Sequence, residues 1–182
     1  HPDGRSVLLH GMDKRVYRVN VETGDSQPFM GTTTFGDGFP MNRYKRYASL
    51  SPDGQAAFYG VYDPKVALMT IRRRSVADGN EIELGQFSPG KTGAGSALAV
   101  SQDGKYLATH ADTGVWRIAT AGGSTSILWN RPEETEGRLP AWSADGRRLF
   151  VPVISNKAGV RVCNLWSVPL DGGKAQELSV GL

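Results

Sequence analysis

The sequence has only one cysteine, Cys163, and it lacks any apolar run long enough to cross a bilayer. A single thiol cannot form an internal disulfide, and its position within an apolar segment predicts that it packs in a strand. The longest apolar runs, such as residues 149–154, fall far short of the roughly 20 residues that a membrane span needs. We therefore expect a segment that folds without internal disulfides and has no membrane span.

An excess of charge of one sign is also missing. The chain has 21 Lys and Arg against 18 Asp and Glu, a net charge of +3 and a pI near 9.1. These charges are spread along the chain, whereas nucleic-acid-binding proteins concentrate basic residues in a patch or stripe. We therefore expect no nucleic-acid partner.

Glycine and proline, in contrast, are plentiful. The 23 Gly and 10 Pro are scattered in turn-like pairs among the 182 residues, 39% of which are hydrophobic. That many apolar residues can bury a core, and frequent turn residues break the chain into short elements. The composition predicts a globular, all-β protein.

Four tetrapeptides that end in Asp-Gly, at 1–4, 51–54, 101–104 and 143–146, recur at spacings of 50, 50 and 42 residues. Asp accepts hydrogen bonds from the backbone that follows it, and Gly supplies a positive φ, so each pair predicts a tight structural turn. The pairs are Asp3 and Gly4, Asp53 and Gly54, Asp103 and Gly104, and Asp145 and Gly146.

Apolar segments stand at a constant distance after each of these turns, and their alternation has the period of a β-strand. A second strand, a glycine turn and a third strand follow, and a short fourth strand precedes each later Asp-Gly pair. Repeats of about 40 to 50 residues with four antiparallel strands each predict the blades of a β-propeller. The predicted blades are 1–30, 47–86, 97–129 and 139–180, within one propeller segment that spans 1–182.

Several of the repeats also resemble a known family. The segments Leu-Ser-Pro-Asp-Gly at 50–54 and Ala-Trp-Ser-Ala-Asp-Gly at 141–146, and the run 165–173, look like the WD40-like Pro-Asp repeats of TolB-type propellers. Similar repeats occur in the propellers of prolyl-oligopeptidase-like and tricorn-type peptidases. The sequence departs from the pattern at His1, where Ser is usual, and at Gln102 and Ala144, where Pro is usual. The resemblance covers essentially the whole chain.

This resemblance implies a ring of six to eight blades, of which four are visible here, the first without its innermost strand. We therefore expect further blades or another chain to close the ring, since an open arc exposes sheet edges and apolar faces. The resemblance also implies a bacterial protein in the periplasm or outside the cell. The function it favours is a non-catalytic module that binds a protein or peptide. The alternative is a propeller that gates substrate access in a serine peptidase whose catalytic domain lies outside this segment.

Loop length distinguishes the two ends of the predicted blades. The Asp-Gly turns and most glycine turns are short and share one end, where only the stretch 72–79 is longer. The predicted long loops, 31–46, 88–96, 130–138 and 155–161, all belong to the other end. Long loops on a rigid scaffold often carry function, so we predict binding at this loop end.

The first long loop mixes aromatic and basic residues, a composition that suits a protein interface. The alternative is that its aromatic residues pack the loop onto the ring and its charges are solvated. Two histidines occupy equivalent positions at the loop ends of blades 1 and 3. The candidate binding residues are Phe35, Phe39, Arg43, Tyr44, Lys45 and Arg46 in the loop, with His10 and His110.

No convincing catalytic, metal or cofactor site is predicted. Residues 85–92 match the pattern of a phosphate-binding loop, but Gly93 and Gly95 disfavour the helix that such a loop needs. Residues 93–97 resemble part of a nucleophile elbow without its last Gly. The four turn aspartates lie one to a blade and cannot converge for acid-base chemistry. The acidic run 133–136 and the arginines at 72–74 are predicted to be solvated.

Overall fold

The computed structural model describes residues 4–10, 16–29, 49–63, 65–90, 98–132 and 135–178. Within these ranges every regular secondary-structure element is a β-strand, and the strands form four antiparallel sheets. The described part of the chain contains no helix long and apolar enough to span a bilayer. The prediction of an all-β chain with four sheet units is confirmed.

The first two sheets follow chain order from their inner to their outer strands. Blade 1 has three described strands, β1 (Ser6–His10), β2 (Val16–Asn20) and β3 (Ser26–Pro28). Blade 2 has four, β4 (Ser49–Leu50), β5 (Ala56–Asp63), β6 (Leu68–Ser75) and β7 (Glu81–Phe87).

The other two sheets keep the same order. Blade 3 has β8 (Ala99–Val100), β9 (Tyr106–Ala111), β10 (Gly114–Ala119) and β11 (Thr125–Asn130). Blade 4 has β12 (Thr135–Gly137), β13 (Ala141–Trp142), β14 (Arg148–Lys157), β15 (Val160–Pro169) and β16 (Gln176–Leu178).

The innermost position of blade 4 is shared by two short strands. Both β12 and β13 pair with β14, and the register shifts by one residue between them. Such a shift leaves one extra residue on the inner strand, as in a β-bulge, and it falls beside Pro140, which lacks an N–H for the ladder. The prediction that 130–138 is wholly a loop is therefore wrong, because its second half pairs with β14.

Two further loop predictions are also wrong. Residues 155–161 were expected to form a long loop, but β14 and β15 extend through them and join in a tight turn at Ala158 and Gly159, both with positive φ. Residues 72–79 were expected to be an extended turn, but β6 continues to Ser75. In both places continued backbone pairing with a neighbouring strand outweighs the polar composition of the segment.

Alternation along the second strand of each blade directs side chains to two different neighbours. The third residue after the turn glycine packs against the preceding blade: Ala57 joins blade 1, Leu107 joins blade 2 and Leu149 joins blade 3. The fourth residue packs against the following blade, as Phe58 does with blade 3. Because strand side chains alternate between faces, blades 2 and 3 each contribute to two separate cores.

The two outermost faces of this arc are apolar and open. In blade 1, Val7 is at the position that Leu107 occupies in blade 3. The Val7 side chain is 40% exposed, and Leu9 on the same strand is 52% exposed. At the other end, Phe150 holds the position of Phe58 but is only partly buried. Cys163 lies opposite Ile154 and is exposed, so the expectation that its thiol is packed is wrong.

Hydrogen bonds also join the inner strands of neighbouring blades. The Ser49 hydroxyl donates to the carbonyl of Leu98, and the Trp142 indole N–H donates to the carbonyl of Ala99 over 2.9 Å. These bonds link blade 2 to blade 3 and blade 3 to blade 4. They hold the inner strands side by side.

The Asp-Gly turns of blades 2, 3 and 4 share one hydrogen-bond pattern, in which a serine two residues before the aspartate takes part. In blade 3 the Ser101 hydroxyl donates to the Asp103 carboxylate over 2.7 Å and accepts the N–H of Tyr106 over 2.9 Å. The Asp103 carboxylate also accepts the N–H of Lys105 over 3.1 Å. The bond from Ser101 is the main cause that lowers the pKa of Asp103 below its usual value. Gly104 has a φ of +71°, a conformation that few residues other than glycine adopt.

A second repeated bond ties these turns to the turns between the third and fourth strand positions. In each blade, the N–H of the first residue of this second turn donates to the carbonyl of the residue that follows the glycine of the Asp-Gly turn. Its four copies are Val21 to Arg5, Val76 to Gln55, Thr120 to Lys105, and Leu170 to Arg147. Both kinds of turn therefore lie at one end of each blade, which we call the Asp-Gly end.

Replacing Ser101 by Ala is expected to lower the free energy of unfolding by about 1 kcal/mol, since it leaves the N–H of Tyr106 without its hydroxyl acceptor. Urea denaturation measures the loss. Ser124→Ala, at an exposed serine in the next turn of the same blade, is the control and should be nearly neutral. Equal effects of the two substitutions would show that the hydroxyl does not stabilise the turn.

Candidate functional site

The structure describes only part of the predicted binding residues. Phe35, Phe39, Arg43, Tyr44, Lys45 and Arg46 lie outside the described residues, as does Asp3 of the first turn. The backbone of His10 ends β1, and its side chain also lies outside what the structure describes. Blade 2 packs between blades 1 and 3, so His10 and His110 are not on neighbouring blades.

His110 lies at the loop end of the seam between blades 3 and 4. It lies near the end of β9, two residues after Ala108, so the two side chains share one face of the strand. Ala108 packs against blade 4. Gly137 of β12 approaches it closely: a Cβ on Gly137 would lie 3.3 Å from the His110 Cβ and 3.4 Å from the Arg131 Nη1. Glycine therefore lets the inner strand of blade 4 pass beside both side chains.

Two arginines surround this histidine. Arg131 follows β11 and donates from Nη2 to the carbonyl of Asp112 over 2.6 Å, which holds its guanidinium against the turn between β9 and β10. Arg138 follows β12, and its N–H bonds to the carbonyl of Pro152. Burial, and then the positive charges of Arg131 and Arg138, lower the pKa of His110 to about 4, although Asp112 acts in the opposite direction. His110 is therefore neutral at physiological pH.

Ser155 faces the same seam from blade 4. It is two residues beyond Val153 on β14, so both side chains point towards blade 3, and Val153 pairs with Gly137. The Ser155 Oγ and the His110 Nδ1 are both buried and have no hydrogen-bond partner among the described residues. We call His110, Asp112, Arg131, Arg138 and Ser155 the seam cluster.

The seam cluster brings two arginines and one aspartate close to a histidine that is neutral at physiological pH. Among the described residues, no three His, Cys, Asp or Glu side chains lie close enough to hold a metal ion. The cluster can offer donors to an anionic group.

Of this cluster, sequence reasoning identified only His110. Arg131 and Arg138 flank the acidic run 133–136 within a segment expected to be a loop. That position was the one sequence feature that could have indicated them as candidate site residues. Ser155 had no distinguishing pattern. These residues come from two blades at unequal spacings, and only the packing of the blades brings them together.

The phosphate-loop pattern at 85–92 has no helix in its described part. Gly85 to Phe87 belong to β7, and Phe87 stacks on Trp116 of blade 3 with ring centroids 5.2 Å apart. A phosphate loop instead begins after its strand has ended and leads into a helix. Residues 85–87 are therefore part of a structural strand that packs blade 2 on blade 3.

Solved structures similar to this chain are β-propeller proteins. TolB from Acinetobacter baumannii matches with a TM-score of 0.66 and 16% identity over 98% of this chain and 41% of its own. The oligogalacturonate lyase from Vibrio parahaemolyticus matches at 0.63 and 13%, over 97% and 50%. The β-propeller domain of the Trilobed protease from Pyrococcus furiosus matches at 0.56 and 11%, over 96% and 53%.

These likenesses establish a β-propeller fold for the chain. The chain spans only about 41 to 53% of the length of these three structures. No family model matches the sequence. A search of curated proteins also finds no match.

Proposed function

We propose that this β-propeller segment is a non-catalytic module of a larger protein and binds a protein or peptide partner at its loop end. The observation that carries this proposal is the difference between the two ends. At the Asp-Gly end, repeated backbone bonds close every described turn. At the loop end, polar side chains from two blades line the seam, and among them the His110 Nδ1 and the Ser155 Oγ are buried without a partner among the described residues.

Closure of the ring by further blades, or by another chain, is part of this proposal. Val7 and Leu9 on blade 1 and Phe150 on blade 4 leave apolar surface on the two outer faces of the arc. Exposed apolar faces of this kind favour association with another sheet. The partial coverage of the longer TolB and lyase structures is consistent with additional blades.

The second candidate is a propeller that controls substrate access in a serine peptidase. The observation that favours it is the likeness to the propeller domain of the Trilobed protease and to dipeptidyl peptidase 4 from Porphyromonas gingivalis, with TM-scores of 0.56 and 0.57. In that case the catalytic serine lies in another domain of the parent protein. A fluorophosphonate probe, which labels active serines, separates the candidates: labelling of the parent protein supports the peptidase.

A set of variants of the parent protein tests the binding role. Replacing Phe35, Phe39 and Tyr44 together by Ala is expected to reduce the capture of partners about tenfold or more, because aromatic anchors carry much of an interface's energy. Quantitative pull-down followed by mass spectrometry measures the loss for each captured protein.

The matched control changes the opposite end. Lys105, at the Asp-Gly end, is replaced by Ala, and this substitution should leave capture unchanged. Thermal melting establishes that each variant is folded. A folded triple variant that captures its partners as well as the wild type would remove the aromatic loop from the site.

A further inference from the structure

We propose that the outer edge of blade 3 is a dimer interface, at which β11 pairs with β11 of a second copy of this chain. The two strands run antiparallel about a two-fold axis at Ser126. This inference goes beyond the proposed function, which concerns the loop end, and it depends on different residues.

The first step is the open edge of β11. This strand is the outermost of its sheet, so it pairs on one side only, with β10. The Ala119 N–H donates to the Ser124 carbonyl over 3.2 Å, which makes these two residues a hydrogen-bonded pair. Because bonded and non-bonded pairs alternate along an antiparallel ladder, Ser126 bonds to β10, while Thr125 and Ile127 direct their N–H and C=O groups outwards. No described strand pairs with these four groups.

The second step is the composition of this edge. The sequence of β11 is Thr-Ser-Ile-Leu-Trp-Asn, with no charged residue, glycine or proline. Charged residues and prolines on edge strands discourage pairing with another chain, whereas uncharged runs of β-forming residues favour it. The other described outer strands each carry such protection: Pro28 in β3, Glu81 and Glu83 in β7, and Glu177 in β16. Among the described outer strands, β11 is therefore the one best suited to accept a further strand.

The third step is the choice of a second copy as the partner. In a two-fold pair, each residue meets a residue close to itself in sequence, so a strand with charges repels its own copy. An edge for another peptide can be charged, because the peptide can supply the opposite charge. Self-pairing, in contrast, requires an uncharged strand. Arg117 on β10 lies opposite Ser126, but its guanidinium is 5.0 Å from the centre of the Tyr106 ring on β9, on the far side of β10 from the edge.

An axis at Ser126 sets the register of the pair. Thr125 of each copy then lies opposite Ile127 of the other, and their outward groups form four backbone hydrogen bonds. The Ile127 side chain, which is 42% exposed, gains a β-branched neighbour across the pair.

The interface is small. The register of β11 against β10 shifts after Ile127, which ends the regular part of the edge. Such short pairing has precedents within this chain, since β4 and β8 each pair over only two residues. An interface of this size is smaller than stable dimers need, so the dimer is weak and reversible.

The test is sedimentation equilibrium of the parent protein from about 10 μM to about 1 mM. A reversible equilibrium between monomer and dimer is expected, with a dissociation constant on the order of hundreds of micromolar.

A matched pair of variants assigns the association to blade 3. Ile127→Lys should raise the dissociation constant at least about tenfold, because it removes an apolar contact and brings two like charges close together. Ile82→Lys makes the same change at a 48% exposed isoleucine on β7 and should leave the dissociation constant unchanged. Thermal melting verifies that each variant is folded.

A second pair of variants locates the axis. Ser126→Lys and Ser126→Glu should each weaken self-association, since position 126 lies opposite itself in the dimer. An equal mixture of the two should recover dimer at least to the wild-type level, because opposite charges then face each other.

Four outcomes would overturn the proposal. One is a parent protein that stays monomeric over the whole concentration range. Another is self-association that Ile127→Lys leaves unchanged, as expected if the apolar faces at the ends of the arc associate, or that Ile82→Lys weakens equally. A mixture of the Ser126 variants that recovers no dimer would exclude the two-fold arrangement. Loss of partner capture by Ile127→Lys without any self-association would assign this edge to a different protein.

Discussion

Replacing Leu107 by Ala is expected to lower the free energy of unfolding by about 2–5 kcal/mol. Leu107 is fully buried in the core shared by blades 2 and 3, where it packs with Phe58, Ile71 and Ile118. Truncation removes apolar burial and leaves a cavity that neighbouring strands cannot fill, since their hydrogen-bonded ladders hold them apart. Denaturant unfolding measures the loss.

The control is Val7→Ala at the equivalent position of blade 1. Because Val7 is 40% exposed, its truncation in the 182-residue chain is expected to cost less than about 1 kcal/mol. In the parent protein the same substitution should cost more, if another blade covers this face as Leu107 is covered by blade 2. An equal, small effect in both contexts would argue against closure of the ring at blade 1.

Glu81→Gln is expected to cost about 2 kcal/mol at pH 7. The Glu81 carboxylate pairs with Nη1 of Arg74 over 2.8 Å and of Arg72 over 3.5 Å, and it is also hydrogen-bonded by the side chain of Tyr59. The Arg74 side chain is only 13% exposed, so removing its carboxylate leaves a largely buried charge. Loss of one member of a fully buried pair costs about 3–5 kcal/mol, and the 29% exposure of Glu81 reduces this.

Glu83→Gln is the matched control for this substitution. It lies two residues along the same strand and should change stability by less than about 0.5 kcal/mol, as exposed substitutions usually do. A loss as large as that of Glu81→Gln would assign the effect to general charge on β7. In that case the ion-pair network would not be its cause.

The cost of Glu81→Gln should also depend on pH. Partial burial raises the pKa of Glu81, but the hydrogen bonds from Tyr59 and Arg74 outweigh this effect and hold the pKa below its usual value. The unfolded state therefore takes up the proton at higher pH than the folded state. The stabilising contribution is complete above about pH 4.5 and is lost as pH falls through the lower folded pKa.

Denaturant unfolding of wild type and Glu81→Gln at pH 7, 5, 4 and 3 checks this dependence. The turn aspartates, whose pKa values are also lowered, titrate equally in both proteins and cancel in the difference. The difference in the free energy of unfolding between the two proteins should become smaller towards pH 3. A gap that stays constant from pH 7 to pH 3 would contradict an ionic origin.

Local chemistry explains why the strands and turns could be predicted from the sequence. An Asp-Gly pair such as Asp103 and Gly104 acts through its own backbone and a serine two residues away, so its signal is contained in a few neighbouring letters. The apolar residues at 107–108 and 115–118 likewise predicted β9 and β10, because a strand between two blades buries side chains on both faces. The error at 130–138 arose where pairing with β14 formed a strand in a polar segment, and the error at 155–161 arose because β14 and β15 pair up to the turn that joins them.

The sequence by itself thus determined the repeated four-strand unit, the positions of the tight turns and the end of each blade at which they lie. Only the tertiary structure decided which side chains meet across the seams. Arg131 and Arg138 act on His110 from the ends of separate strands at irregular spacings, and no short-range pattern encodes that meeting. The physical reason is that backbone geometry is set by neighbouring residues, whereas a site between blades depends on how whole sheets pack.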